Sequence, residues 1–171
     1  YPPARDDKTV PFDWHLGNAY SQLKAAREEV FPELLTGDKR SKNKKYVKIA
    51  HIDTGFLDGH PAHPEYLDRM HSASFAGWGA GTGGQDTDMK IAPGEQQGHG
   101  NATLAILAGG KLRSEQTDGL FSGYFGAIPF ADVISIKISE SVVLLSGKRF
   151  AKAIDHAIDQ GVDVITMSMS G

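Results

Sequence analysis

The sequence predicts an α/β domain built on a mainly parallel sheet. Three observations carry that expectation. Short β-branched runs alternate with helical stripes, in the order strand, helix, strand, helix, strand, over residues 46–168. That is how the crossover units of a parallel sheet read in a sequence. The chain has 171 residues, 40% of them hydrophobic, enough for one domain with its own core. It contains no cysteine, so disulfides, thiolate nucleophiles and cysteine-ligated zinc are excluded.

Residues 19–30 carry Ala19, Leu23, Ala26 and Val30 at helical spacing, with Asn18 as N-cap, and Pro32 and Gly37 close the segment. "YVKIAHID", 46–53, is short, β-branched and followed by Thr54-Gly55, which predicts the first strand. "GAGTGG", Gly79–Gly84, has the glycine spacing of a dinucleotide loop, but "QDTDMKIAPGEQQ" follows it and is not helical. It reads as part of a mobile loop over 77–98. Residues 100–109 predict a helix apolar on all sides, ended by Gly109-Gly110, where glycine accepts positive φ. "ADVISIKI", 131–138, alternates Ile134, Ile136 and Ile138 with Ser135 and Lys137, as a strand does. "KRFAKAIDHAIDQG", 148–161, places Phe150, Ala153, Ile154, Ala157 and Ile158 on one stripe, leaves His156 off it and exposed, and stops at Gly161. "VDVITMS", 162–168, is the last strand. A strand inside a parallel sheet needs cover on both faces, yet Gly171 follows at once, so the domain reads as unfinished. The start, Tyr1-Pro2-Pro3 without Met, reads as a processed or trimmed end.

The net charge of −3 argues against bulk nucleic-acid binding. No apolar run is long enough to span a bilayer. The basic run "KRSKNKK", 39–45, has one aromatic neighbour, Tyr46, and reads as a solvated loop rather than a phosphate patch. His51, His60, His63 and His71 gather near the first strand with Asp53 and Asp58. Histidine is a common metal ligand, so a metallohydrolase is one reading, but the i, i+4 spacing and a closed ligand set are missing.

"IDTG", 52–55, carries more. Ligands of an open parallel sheet bind beyond the carboxyl ends of its strands, and Asp53 is the last strand residue. An Asp before glycine is also an ordinary turn. Aspartic proteases have Asp-Thr-Gly after an apolar strand too, but they are all-β, and the helical stripes oppose that. In "GHGNATLAILAGG", 98–110, His99 sits between two glycines at the mouth of a helix. A helix amino terminus favours the neutral imidazole. A buried carboxylate opposite would restore its basicity and fix its tautomer, the pairing that a histidine-activated nucleophile needs.

Four stretches in order then resemble the subtilisin-like serine proteases. "VKIAHIDTG" resembles the segment of the catalytic Asp, Asp53, and "GHGNATLAILAG" that of the catalytic His, His99. "GAIPFADVISIKI" is similar to the family's Gly-x-Ala-Pro-x-Ala turn and strand, and "AIDHAIDQGVDVITMSMSG" to a long helix and the strand walling the substrate cleft. Asn101 stands where the family usually has Thr, and Ile128 where it usually has Ala.

The resemblance implies a three-layer α/β/α fold, incomplete in this chain. Residues 46–171 would be the amino-terminal half of the catalytic domain and 1–45 an extension with one helix. Ser168, Met169, Ser170 and Gly171 would pair with the substrate backbone as an added strand, and Leu144 and Leu145 would line the opposite wall. The Gly-Thr-Ser-x-Ala nucleophile box and the oxyanion asparagine are absent. The fragment alone is therefore expected to be inactive, partnered by a complementary carboxy-terminal fragment, with a polypeptide as substrate.

No cofactor is required. The resembled family often binds calcium, and Asp58, Glu65, Asp86 and Asp88 are candidate oxygen donors for a structural ion, but they make no complete loop pattern. Family habit points to a secreted or periplasmic protein. A catalytically dead peptide-binding module is the second reading.

Overall fold

A computed structural model describes residues 11–37, 39–76, 98–142 and 146–169. In chain order its elements are α1 (Leu23–Val30), α2 (Glu33–Thr36), β1 (Lys48–Asp53), β2 (Ala73–Ser74), α3 (His99–Ala108), β3 (Lys111–Leu112), β4 (Gly123–Tyr124), β5 (Asp132–Lys137), α4 (Gly147–Asp159) and β6 (Val164–Met167). Four strands form one sheet in the order β2-β5-β1-β6. All its pairings are parallel, with His51 opposite Ser135 on one side and Thr166 on the other. β3 and β4 make a separate antiparallel pair. The parallel α/β architecture expected from the alternating strand and helix patterns is present.

Strand alternation divides the sheet into two packing faces. Ala50, Ile52, Ile134, Ile136 and Ile138 pack with Ala153 and Ala157 of α4. Ile49 and Val133 pack with Leu104 and Ala108 of α3. The alternation within β5 does not create a wet face, because Ser135 and Lys137 are buried as well. α3 covers that side, as a parallel sheet requires.

Several local expectations change. α1 starts at Leu23, not near residue 19, and its N-cap is Gln22 rather than Asn18. Ala26 and Val30 face solvent. Arg27 reaches the domain instead, donating from Nη1 to the Gly126 carbonyl at 2.8 Å. α3 is not buried all round, since Ile106 is 51% exposed. Ile158 is 63% exposed, at the margin of a stripe centred on Ala153 and Ala157. His156 is half-buried rather than exposed: its Nε2 lies 2.8 Å from the His71 carbonyl oxygen, and its ring meets Phe75 edge-on.

Gly109 ends α3 for a reason other than positive φ, since its φ is −51°. A Cβ there would stand 2.4 Å from the Ala105 carbonyl oxygen, and one on Gly110 2.8 Å from that of His63. Close backbone approach is what requires these glycines.

The basic run is partly structural. Arg40 grips Asp132 with both guanidinium arms, at 2.5 and 2.9 Å. Its guanidinium carbon lies 4.0 Å from the Tyr46 ring centre and 4.4 Å from that of Tyr66. Flat stacking plus bidentate pairing suits arginine in particular. Phe31 and Tyr46 join Tyr124 and Phe130 in one aromatic cluster, which docks the segment before β1 onto the domain.

Candidate active site

β1 delivers Asp53 to the carboxyl end of the sheet, and α3 begins beside it with His99. The His99 Nδ1 lies 2.8 Å from Asp53 Oδ1. Asp53 is fully buried and the His99 side chain is 20% exposed. Asp53 Oδ1 also accepts the Thr54 backbone N–H at 2.7 Å, and Oδ2 accepts the Thr103 hydroxyl at 3.0 Å. A carboxylate only accepts, so the proton in the Asp53–His99 contact sits on Nδ1. The lone pair is then on Nε2, the ring atom turned away from Asp53, and that atom can take a proton from a third group.

The seam between β1 and α3 is drawn tight. Thr54 Oγ1 accepts the Gly100 N–H at 3.0 Å. A Cβ on Gly100 would lie 2.1 Å from the Gly55 carbonyl oxygen, so only glycine lets the helix start this close. Gly98 turns the chain into the helix at φ +71°, a conformation open to glycine. The Asn101 Oδ1 accepts the Leu57 N–H at 2.9 Å and fastens the segment after Asp53 to the first turn of α3.

A family model described as the subtilase family matches residues 44–171. The chain belongs to the subtilase family. A subtilisin-like protease of Arabidopsis thaliana, SBT3.17, is 36% identical over 80 residues, which are 46% of this chain and 11% of that protein. The chain therefore matches about a tenth of the length of that relative.

In this subtilase the four histidines do not form one cluster, although His60 and His63 lie near Asp58 and Arg69. His51 is buried with its Nε2 2.9 Å from Thr103 Oγ1. His60 Nδ1 accepts the Ala62 N–H, His63 packs edge-on to Phe56, and His71 Nδ1 pairs with Asp68 at 2.6 Å. Among the described residues no group of three or more His, Asp or Glu is placed to hold a metal ion. The four histidines are therefore not brought together as one ligand set among the described residues.

Of the calcium candidates, Asp58 pairs with Arg69 at 2.9 Å and Glu65 accepts the Lys111 N–H at 3.3 Å. Asp86 and Asp88 lie outside the described residues, as do Gly79–Gly84, Leu144, Leu145, Ser170 and Gly171. Ser168 and Met169 directly follow β6. Ser168 is exposed, and Met169 packs on the Ile52 side of the sheet.

Sequence reasoning missed Thr103 and the real setting of His51. One signal was available for the first: Thr103 is four residues after His99, on the same helix face, in a run that is otherwise apolar from Leu104 to Ala108. For the second it was a histidine inside an apolar strand two residues before Asp53. Burial lowers the His51 pKa to about 4, with Asp53 opposing that shift and His99 adding to it, so its ring is neutral near pH 7.

Proposed function

We propose that Asp53 and His99 are the orienting acid and the general base of a serine endopeptidase. The supporting observation is the contact between Asp53 Oδ1 and His99 Nδ1 at 2.8 Å, at a strand end and a helix start, in a chain of the subtilase family. Asp53 fixes the imidazole tautomer and stabilises the imidazolium that forms. His99 Nε2 takes the serine proton as the hydroxyl attacks the scissile carbonyl, then returns it to the leaving amine.

The serine and the oxyanion donors come from polypeptide other than residues 1–171, since no serine here has the nucleophile context. Residues 1–171 alone are therefore inactive. Val164, Ile165 and Met167 on the edge strand β6 are all at least 39% exposed. That favours cover by a complementary carboxy-terminal portion, because an open strand edge with apolar side chains invites pairing. Residues 168–171 continue from β6 and would add the substrate backbone as a strand. The protein works outside the cytoplasm, in a secreted or periplasmic setting, and needs no cofactor for its chemistry.

The test is peptide hydrolysis by the complete gene product that carries this chain. The expected result is cleavage that survives chelator and is abolished by His99→Ala. Binding of extended peptides without cleavage would support the inactive module instead. Loss of cleavage on chelation with the fold intact by circular dichroism, restored by zinc and not by calcium, would overturn the serine mechanism.

A further inference from the structure

His51 and Thr103 join Asp53 in a part-buried hydrogen-bond chain that the Asp53–His99 pair does not itself require. His51 Nε2 is 2.9 Å from Thr103 Oγ1, Thr103 Oγ1 is 3.0 Å from Asp53 Oδ2, and the direct His51 Nε2 to Asp53 Oδ2 distance is 3.7 Å. Thr103 Oγ1 also lies 3.1 Å from the His99 carbonyl oxygen and 3.3 Å from that of Gly100. A hydroxyl has one proton. The bond to a carboxylate is the charge-assisted and stronger choice, so that proton goes to Asp53. The Thr103 oxygen is then an acceptor toward His51, which must carry its proton on Nε2. Both links point the same way, each polarising the next.

We propose that Thr103 is a positioning residue that holds the Asp53 carboxylate in the plane His99 needs, and that His51 is its anchor. The inference rests on the serine peptidase reading for its consequence, but its geometry stands apart from it. Asp53 Oδ1 is occupied by Thr54 and His99. A carboxylate fixed only at one oxygen can still turn about its C–C bond. Thr103 fixes the second oxygen, and α3 carries Thr103 and His99 on one face four residues apart, so the same helix sets both partners of Asp53.

Nδ1 of His51 is buried without a hydrogen-bond partner among the described residues, and so is the hydroxyl of Ser135, its registered neighbour on β5. That Nδ1 is an acceptor in the assigned tautomer. The titratable or charged groups facing His51 are Asp53 on its own strand and His99 on α3. β5 adds Lys137 opposite Asp53, and β6 presents Thr166.

The test uses the complete gene product and a peptide substrate. Thr103→Val is nearly isosteric and removes both links. The expected result is a fall in kcat of about tenfold, the scale of one hydrogen bond to a charged group, with KM changed less than about twofold. Without the Thr103 bond the Asp53 carboxylate can turn out of the imidazole plane and holds the imidazolium less firmly, so the acid limb of kcat/KM moves to lower pH. Thr103→Ser restores kcat and the acid limb. His51→Val gives a smaller loss, and His51→Val with Thr103→Val is no worse than Thr103→Val alone.

An unchanged kcat and acid limb in Thr103→Val, or losses that multiply in the double variant, would overturn the proposal. A measurement that needs neither turnover nor a folded variant is the ¹⁵N signature of His51 in the wild-type protein at pH 7. Protonated Nε2 with bare Nδ1 is expected, and the opposite tautomer would overturn the chain. A wild-type protein with that signature but no hydrolysis would sink the peptidase reading and leave the hydrogen-bond chain standing.

Discussion

Against α4 the sheet presents Ala50, Ile52, Ile134 and Ile136, all closed to solvent and none with a polar side-chain atom. Against α3 the strand positions one residue out of step begin the same way, with Ile49 and Val133, and then turn polar: His51 and Ser135, then Asp53 and Lys137. Both faces are buried, so burial does not explain the difference. Position along the strand does. The polar side chains lie toward the carboxyl ends, where an open parallel sheet offers its crevice. The α4 face is a core. The α3 face is a core at one end and carries the Asp53–His99 pair at the other, where α3 supplies partners to His51 and Asp53 while Lys137 pairs with Glu140.

Asp53→Asn should separate the faces most sharply. The change keeps shape but removes the charge and turns one of the two acceptor oxygens into an NH2 donor, so the His99 tautomer is no longer fixed. It should cut kcat by about 10⁴-fold, the scale known for the same change in a serine-protease triad on an unrelated fold, while the denaturant midpoint stays close to wild type. A kcat within tenfold of wild type would remove Asp53 from the chemistry.

The mirror experiment is Ile136→Ala on the α4 side. Ile136 is fully buried, so the truncation should cost about 4 kcal/mol of unfolding free energy, read by urea denaturation, with kcat unchanged in the folded fraction. A drop in kcat would mean the two faces are not separable.

Gly100→Ala addresses the seam where site and core meet. Its Cβ would lie 2.1 Å from the Gly55 carbonyl oxygen, and backbone there cannot yield cheaply. A loss of about 3 kcal/mol in stability, together with lower kcat, is expected. A variant with wild-type melting and activity would show that α3 does not need this approach.

The smallest effect comes from acid. His51 is neutral in the fold, with a pKa lowered from 6.5 to about 4. The unfolded chain therefore binds more protons between those values, and stability falls as pH drops through the window. From pH 7 to pH 5 the loss should be about 2 kcal/mol. Thermal melts across that range should show this slope in the wild type and a flatter one in His51→Val. Equal slopes would mean that His51 is not the buried neutral group.

The strands and the two main helices were legible because period-2 and period-3.6 patterns survive in a sheet covered on both sides. The candidate pair Asp53 and His99 was legible from the ends of those elements together with the family resemblance. The rest depended on partners distant in sequence. Arg40 looks like one cation in a basic run until Asp132, Tyr46 and Tyr66 surround it. Gly109 looks like a helix stop with positive φ, when the Ala105 carbonyl is what forbids a side chain. His51 suggested metal, because its partner Thr103 is 52 residues away. Alternation in β5 marked a strand, but whether Ser135 and Lys137 meet water depends on packing from elsewhere in the chain, which leaves both buried.

The central claim, that Asp53 and His99 activate a serine, is tested most directly by labelling the complete gene product with a fluorophosphonate probe. The probe reacts only with a serine whose proton has a base to go to. The expected result is covalent labelling of the wild-type protein that His99→Ala abolishes and Asp53→Asn slows severely. Equal labelling of wild type and His99→Ala would contradict the claim.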